Sequence, residues 1–378
     1  MSKRFFVGSR KGLFSVERTA SGWRIGQPSF VGDPVNIVFP DRRDGTLYAA
    51  LPLGHFGVKL RRSDDGGQTW DECPVPRYDK VPDAESVTAT SESGPASDAG
   101  NSPSSGPSLE EIWALEGGGS DRPGQLWCGT IPGGLFHSDD RGDSWQLVES
   151  LWDLPERDNW FGGGKDHPGI HSVCVDPRNS DHVTVGVSCG GIWQTQDAGR
   201  SWALRAAGMR AAYMPPDRAF DPTIQDPHLI VQCRDQPDHF WVQHHNGIFR
   251  SDDNCASWSE CDQAAPSGFG FAVAVHPADG RRAWFVPAVK DECRVPVDGR
   301  LVVTTTENSG ETFRSLSAGL PGEPAWDIVF RHALAIDDSG ECLAMGSSTG
   351  GLWVSEDAGE SWTCLSSHLP QIYCVRFE

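Results

Sequence analysis

A twelve-residue pattern recurs along the chain and limits the folds that it can adopt. The pattern starts with glycine, passes through a Ser or Thr and an Asp or Asn, and ends on an aromatic residue. Close copies span 134–145, 191–202 and 351–362, and the copy at 247–258 has Cys255 in place of its second glycine. Partial copies are 63–70 and 306–313, and a decayed copy at 12–23 has lost the aspartate. Seven copies about 50 residues apart predict a repeat array, either a propeller or a solenoid.

Each repeat consists of short strand signals followed by the pattern. Residues 172–175 and 184–187, for example, are short apolar alternations bounded by turn residues, which is typical of β-strands. The pattern itself predicts a hairpin. Its aspartate can accept hydrogen bonds from turn amides, its glycine can take a positive φ, and its last aromatic residue can pack between neighbouring sheets. All of these roles are structural.

The pattern resembles the Asp-box (BNR) repeats of bacterial sialidases, xyloglucanase-like glycoside hydrolases and sortilin-type (VPS10) domains, over nearly the whole chain. Seven such repeats imply an all-β fold, a single seven-bladed β-propeller over 1–378 whose innermost strands line a central channel. The segment 371–378 reads as an innermost strand with no pattern after it, whereas the N-terminus supplies a pattern with no such strand before it. We therefore expect the two termini to share blade 1 and close the ring.

Composition limits the classes of partner and the cellular compartment that we expect. The formal net charge of −20 disfavours nucleic acid as a partner. The sequence has no long apolar run, so we expect no membrane span. The N-terminus lacks a secretory apolar segment, and the eleven cysteines form no CxxC pair, so we expect a cytoplasmic protein without a disulfide framework. Residues 84–108 have no aromatic and no basic residue, which predicts a disordered loop between blades 2 and 3, with a lid as the alternative.

The residues that open the innermost strands should converge on the channel axis. Aligning these strands on their apolar alternation gives Phe271 in blade 6, Tyr373 in blade 1 and either Val35 or Asn36 in blade 2. The remaining four blades give a carboxylate and three imidazoles: Glu111, His171, His228 and His332. Such side chains are ligands for Zn²⁺, Fe²⁺ or Mn²⁺, so we predict a divalent metal bound by these four. A polar pocket without metal is the alternative.

Further candidates flank these strands. The predicted catalytic residues are Lys165, Asp166, His167, His244 and Asp327. The predicted substrate-binding residues are Trp160, Arg234, His245, Trp326 and Arg331. Convergence of basic residues at this mouth would favour an anionic substrate. The basic candidates are Arg10, Lys11, Lys165, Arg218, Arg234, Lys290, Arg294 and Arg331.

Three functions fit these residues. The first is a hydrolase or lyase for a small polar, anionic or sugar-derived molecule, with a metal that activates water and His167 or His244 as general acid or base. The second is a glycoside hydrolase that uses Glu111 and Asp327, or Asp166, without metal. The third is a non-catalytic binding or assembly platform with a protein partner. Sialidase activity is not expected, because 3–6 reads Lys-Arg-Phe-Phe where the resemblance implies Phe-Arg-Ile-Pro.

Overall fold

The protein is a seven-bladed β-propeller, as the repeats predict. A computed structural model describes residues 1–78 and 107–378, in which 28 strands form seven four-stranded antiparallel sheets. The predicted loop at 84–108 lies outside the described residues, apart from its last two. Among the described residues, no helix is long and apolar enough to cross a membrane.

Strands β1 to β15 build blades 1 to 4 in chain order. Blade 1 contains β1 (Arg4–Ser9), β2 (Gly12–Thr19) and β3 (Gly22–Ile25). Blade 2 contains β4 (Ile37–Asp41), β5 (Thr46–Pro52), β6 (Val58–Ser63) and β7 (Asp71–Cys73). Blade 3 contains β8 (Glu111–Gly117), β9 (Leu126–Ile131), β10 (Leu135–Ser138) and β11 (Gln146–Leu147). Blade 4 contains β12 (Ile170–Val175), β13 (Val183–Val187), β14 (Gly191–Thr195) and β15 (Ala203–Leu204).

The remaining strands complete the ring. Blade 5 contains β16 (Pro227–Gln232), β17 (Phe240–His244), β18 (Gly247–Ser251) and β19 (Ser259–Glu260). Blade 6 contains β20 (Gly270–Val275), β21 (Ala283–Pro287), β22 (Val303–Thr306) and β23 (Arg314–Leu316). Blade 7 contains β24 (Leu334–Ile336), β25 (Leu343–Gly346), β26 (Leu352–Ser355) and β27 (Thr363–Ser366), and β28 (Ile372–Phe377) follows. The described helical segments are α1 (Glu149–Trp152) and four 3₁₀ turns, Gly54–Phe56, Pro155–Asn159, Pro222–Ile224 and Val297–Gly299.

The last strand closes the ring by returning to the first blade. Strand β28 is the innermost strand of blade 1 and pairs with β1, Phe377 opposite Phe5 and Val375 opposite Val7. The ring of Phe5 packs against Phe377 and against Trp23, with centroids 5.3 Å and 5.2 Å apart. The prediction that the two termini share blade 1 is therefore confirmed.

The recurring aspartates organise the hairpin between the third and fourth strands. Asp65 Oδ1 accepts the backbone N–H of Thr69 at 2.9 Å, and Asp65 Oδ2 accepts the Thr69 hydroxyl at 2.6 Å. The equivalent side-chain pairs are Asp140–Ser144, Asp197–Ser201, Asp253–Ser257, Asn308–Thr312 and Asp357–Ser361. Cys255, which replaces the second glycine, takes the same left-handed conformation with φ of 62°. The predicted structural role of the pattern is thus confirmed.

The aspartates of these turns should make the folded state less stable in acid. A hydrogen bond from Thr69 lowers the pKa of Asp65 to about 2, and one from Ser201 does the same for the pKa of Asp197. Unfolded aspartate has a pKa of about 3.9, so these groups stabilise the fold above about pH 4 and lose that contribution as pH falls towards 2. Differential scanning calorimetry should therefore show a melting temperature that falls steeply across this interval.

A neutral substitution provides the control for this prediction. Asn308 already occupies the aspartate position in blade 6, where its Oδ1 accepts the Thr312 amide at 3.0 Å. Asp197→Asn should therefore fold well at neutral pH and show a shallower decline between about pH 4 and pH 2, because one titrating group is gone. An unchanged slope would contradict the assignment.

The antiparallel order of each blade separates two faces of the ring. Each innermost strand begins on one face of the ring, and the chain returns to that face between the second and third strands. The aspartate turns, between the third and fourth strands, lie on the other face. We call the face that carries Glu111, His228 and Tyr373 the upper face. The aspartate turns are therefore remote from any site at the upper mouth of the channel.

Candidate functional site

β-Bulges near the start of the innermost strands re-aim several side chains. In blade 3, Ile112 pairs with Thr130 and Ala114 with Gly129, so Trp113 is an extra residue. The same irregularity occurs in blades 1, 4 and 5 at Tyr373, His171 and His228, respectively, and in blade 6 it falls within 271–272. Bulges are frequent beside functional sites because they turn a side chain out of the regular alternation.

The bulges correct the alignment of blade 3. Trp113, rather than Glu111, is the equivalent of His171 and His228. Glu111 lies two residues earlier, at the position that Asp226 holds in blade 5. The alignment from sequence is wrong here because apolar alternation repeats every two residues and cannot distinguish two registers that differ by two. The structure thereby places carboxylates at equivalent positions on the two blades that flank blade 4.

A cavity of about 450 Å³, which we call the upper cavity, occupies the upper mouth of the channel. Its size is within the range of about 300–1,000 Å³ that small-molecule sites occupy. Six of the seven residues taken as strand-opening positions line it: Asn36, Glu111, His228, Phe271, His332 and Tyr373. His171 instead lines a second cavity at the opposite mouth, the lower cavity.

Asp226 forms the centre of a buried polar cluster on the blade 5 wall. Its Oδ2 lies 3.2 Å from His245 Nδ1 and 3.6 Å from His228 Nε2. Burial alone would raise the pKa of Asp226, but the two imidazoles hold it well below its usual value. Burial lowers the pKa of His228. At neutral pH the cluster therefore contains a carboxylate beside a neutral His228.

Glu111 faces the cavity from blade 3. Its Oε1 accepts a hydrogen bond from Asn36 at 2.9 Å, and its Oε2 accepts one from Lys165 Nζ at 2.8 Å. Lys165 follows a glycine-rich loop, in which a Cβ on Gly163 would lie 3.3 Å from Asp226 Oδ2 and 3.0 Å from a sulfur atom. Glycine thus allows the loop to pass close to Asp226 and to deliver Lys165 to Glu111.

Arg331 is the distinctive cation of the upper cavity. Its guanidinium carbon lies over the rings of Trp113 and Phe271, 4.8 Å and 5.4 Å from their centroids. Within residues 1–78 and 107–378, Arg331 Nε is buried without a hydrogen-bond partner. Burial lowers the pKa of Arg331. The side chain is only partly buried and lines the cavity, so this group is available to an anionic ligand.

The four residues expected to bind a metal do not form one cluster, and a different group of potential metal ligands lies together. His332 Nε2 contacts the His171 carbonyl oxygen at 2.9 Å, His171 Nδ1 contacts Ser172 Oγ at 2.8 Å, and Glu111 pairs with Lys165. Burial lowers the pKa of His332 to about 3. In the part of the chain that the structure describes, the group whose donor atoms lie within 4.8 Å of one another is Asp226, His228 and His245.

The predicted catalytic residues are distributed around the cavity rather than gathered in it. Of the five, Lys165 lines the cavity. Asp166 and His167 are exposed on the adjoining loop, where His167 Nδ1 lies 2.7 Å from Glu110. His244 is buried behind the wall and accepts the Asp226 backbone N–H at 3.1 Å. Asp327 accepts the Ser347 hydroxyl at 2.7 Å and is not among the lining residues.

The predicted substrate-binding residues divide in the same way. Arg331 and His245 line the upper cavity, whereas Trp160 is buried against Trp193 and Trp326 is exposed. Arg234 lines the lower cavity, where it pairs with Asp338 at 2.8 Å. Of the eight basic candidates, Lys165, Arg294 and Arg331 line the upper cavity.

Sequence reasoning missed Asp226, Trp113 and Asp291, which also line the upper cavity. Asp226 and Trp113 each lie two residues from a candidate on the same stretch of chain, and that spacing is the signal that could have found them. Asp291 lies in a loop after β21, where no repeat or alternation marks it.

Comparison with known proteins gives a weak but consistent likeness. No protein-family model matches the sequence. An oligoxyloglucan-reducing end-specific xyloglucanase of Emericella nidulans is 24% identical over 268 residues, which are 63% of this chain and 30% of that protein. The chain thus spans less than a third of the curated relative that it matches.

Solved structures share the fold. The GH74 xyloglucanase from Xanthomonas campestris superposes with a TM-score of 0.62 at 18% identity, over 96% of this chain and 52% of the other. A structure of YCF48 bound to D1 peptide gives a TM-score of 0.52 at 15% identity, over 88% of this chain and 82% of the other. The chain is therefore a β-propeller that resembles the GH74 xyloglucanases.

Proposed function

We propose that this chain is a propeller enzyme, a hydrolase or lyase, that acts on a small anionic, sugar-derived substrate in the upper cavity. The observation that carries the proposal is Arg331, a guanidinium held between Trp113 and Phe271. Its fork of donors suits a carboxylate, sulfate or phosphate. The weak likeness to xyloglucanases supports a sugar-derived substrate.

The walls of the cavity support a ring-shaped substrate of modest size. Aromatic side chains stand beside the polar groups, and Phe330 and Tyr373 stack with centroids 6.1 Å apart. Ligand sites commonly combine apolar walls with a few polar groups that fix orientation. Trp113 and Phe271 therefore provide contact area, while Arg331 fixes the charged end.

The two wall carboxylates would supply the chemistry. Asp226 is ionised on the blade 5 wall, and Glu111 faces the cavity from blade 3 beside Lys165. In hydrolysis, one carboxyl group protonates the leaving oxygen and the other activates water. In elimination, Arg331 would neutralise the substrate carboxylate while a base removes the adjacent proton; the C–H electrons then form the double bond as the C–O bond at the next carbon breaks, and the leaving oxygen takes up a proton.

A substrate panel tests the proposal. It contains chromogenic glycosides of neutral sugars, those of the corresponding uronic acids, and oligoxyloglucan. We expect turnover of acidic members, and glucuronate should bind in calorimetry where glucose does not, because Arg331 needs an anionic partner. Glu111→Gln should lower turnover by roughly 100-fold or more if the carboxyl group transfers a proton. Turnover of oligoxyloglucan without binding of uronates would contradict the proposal.

An apolar rim supports a second candidate, a protein-docking platform. Among the described residues, seven large apolar side chains besides Met1 are exposed, and all of them lie in loops of the upper face: Val31, Phe56, Phe161, Tyr213, Phe220, Val289 and Trp326. Exposed apolar side chains around a cleft are typical of docking surfaces. The bound peptide in the YCF48 structure supports this alternative. Retention of a peptide ligand that Phe220→Ser and Trp326→Ser abolish, with no turnover of the panel, would favour the platform.

A further inference from the structure

We propose that Asp226, His228 and His245 bind a divalent transition-metal ion, Zn²⁺ or Fe²⁺, in the upper cavity. Two imidazoles and one carboxylate form a ligand set that both ions take, with coordination positions left for water or substrate. The set differs from the one that the strand alignment suggested, and His228 is the residue that they share. Three features of the cluster support the site.

The first feature is the spacing of the donor atoms. Zinc bonds to nitrogen and oxygen are about 2.0–2.2 Å long, so neighbouring ligands of a tetrahedral ion are about 3.3–3.6 Å apart. Asp226 Oδ2 lies 3.6 Å from His228 Nε2 and 3.2 Å from His245 Nδ1. The three donor atoms lie within 4.8 Å of one another. His245, which is 23% exposed, can close the remaining separation by rotating its side chain.

The second feature is the orientation of the ligands. His228 Nδ1 lies 2.6 Å from the Gly270 carbonyl oxygen, which can only accept, so Nδ1 carries a hydrogen and Nε2 is the ring atom that faces Asp226. Asp226 Oδ1 accepts the Cys189 backbone N–H at 3.2 Å, which leaves Oδ2 for the imidazoles. Metal ligands are usually fixed by such outer contacts. Asp226 Oδ2 and His228 Nε2 thus face each other, and a cation between them could be bound by both.

The third feature is the charge of the cavity. Three carboxylates and three basic side chains line it: Glu111, Asp226, Asp291, Lys165, Arg294 and Arg331. A divalent ion would leave the cavity with an excess of positive charge beside Arg331, and an anionic ligand would balance it. Metal and anion should therefore strengthen each other's binding by the same factor. This step alone rests on the proposed function.

The test is a calorimetric titration of the full chain with Zn²⁺. Any affinity tag is first removed, and bound metal is stripped with a chelator. We expect one tight site in the wild type. Loss of an outer-shell contact commonly costs 10–100-fold in metal affinity, so loss of a ligand in Asp226→Asn or His245→Ala should cost more than about 100-fold. His167→Ala is the matched control, since His167 pairs with Glu110 at 2.7 Å on the same face. It should bind Zn²⁺ like the wild type.

Each outcome decides the question. Absence of a tight site in the wild type, or equal affinity in wild type and His245→Ala, would overturn the proposal. If Asp226→Asn fails to fold, the partly exposed His245 decides alone. Loss of binding in His171→Ala with full binding in His245→Ala would also overturn it, in favour of the four ligands expected from the strand alignment. Glucuronate that binds the metal-free protein would leave the proposed function standing without the metal, so the two failures can be told apart.

Discussion

Deletion of residues 372–378 is expected to abolish cooperative folding, because the ring then lacks the innermost strand of blade 1. Ile372, Val375 and Phe377 are each 5% exposed or less. Burying such side chains contributes about 1.5–3 kcal/mol each, so the three account for about 5–9 kcal/mol as an upper estimate. Domains have a total stability of about 5–15 kcal/mol, so the loss is comparable with the whole. The deletion also leaves β1 without its inner partner.

Circular dichroism and calorimetry measure this effect directly. The truncated chain should show a broad thermal transition without a calorimetric peak, whereas the wild type unfolds cooperatively. Deletion of Glu378 alone is the control. Glu378 forms an exposed ion pair with Arg4 at 3.3 Å, and such pairs contribute about 0–1 kcal/mol. A sharp, unshifted transition in the truncated chain would mean that β28 does not close the ring.

The fold could be predicted from sequence because its signals are local and repeated. The aspartate, the hydroxyl four residues later and the closing aromatic all lie within one hairpin, so each copy marks one blade wherever it occurs. Even the copy with Cys255 keeps the left-handed turn. A signal that is repeated in nearly every blade tolerates the loss of any single copy, as blade 1 shows.

The candidate site could be predicted only in part because its geometry is not local. Alternation indicated that His228, Phe271 and Tyr373 face the channel, and all three line the cavity. Alternation repeats every two residues, so it placed Glu111 where the strand pairing places Trp113. The contact between Asp226 and His245 depends on how two neighbouring strand ends and their loops meet, which no sequence periodicity records.

Replacement of Arg331 by methionine is expected to remove anion binding while leaving the stability of the fold unchanged. Loss of one partner of a buried charge pair costs about 2–5 kcal/mol, which is a roughly 30- to 5,000-fold weaker affinity for an anionic ligand. Methionine keeps an apolar chain between Trp113 and Phe271. Because Arg331 forms no ion pair among the described residues, the variant breaks no salt bridge, and methionine retains apolar contact with the two rings. Calorimetric titration with glucuronate and a thermal scan measure both effects on one sample.

Arg294→Met is the matched control for this prediction, since Arg294 lines the same cavity. Arg294 is 48% exposed and already bonded to Asp291 through Nε at 3.0 Å, so its loss should weaken anion binding by less than about 1 kcal/mol. Glucuronate should raise the melting temperature of the wild type and of Arg294→Met but not of Arg331→Met, because a ligand stabilises only a protein that binds it. If Arg331→Met instead lowered the melting temperature and left the glucuronate shift intact, Arg331 would be a structural residue, and the anionic class of substrate would lose its main support.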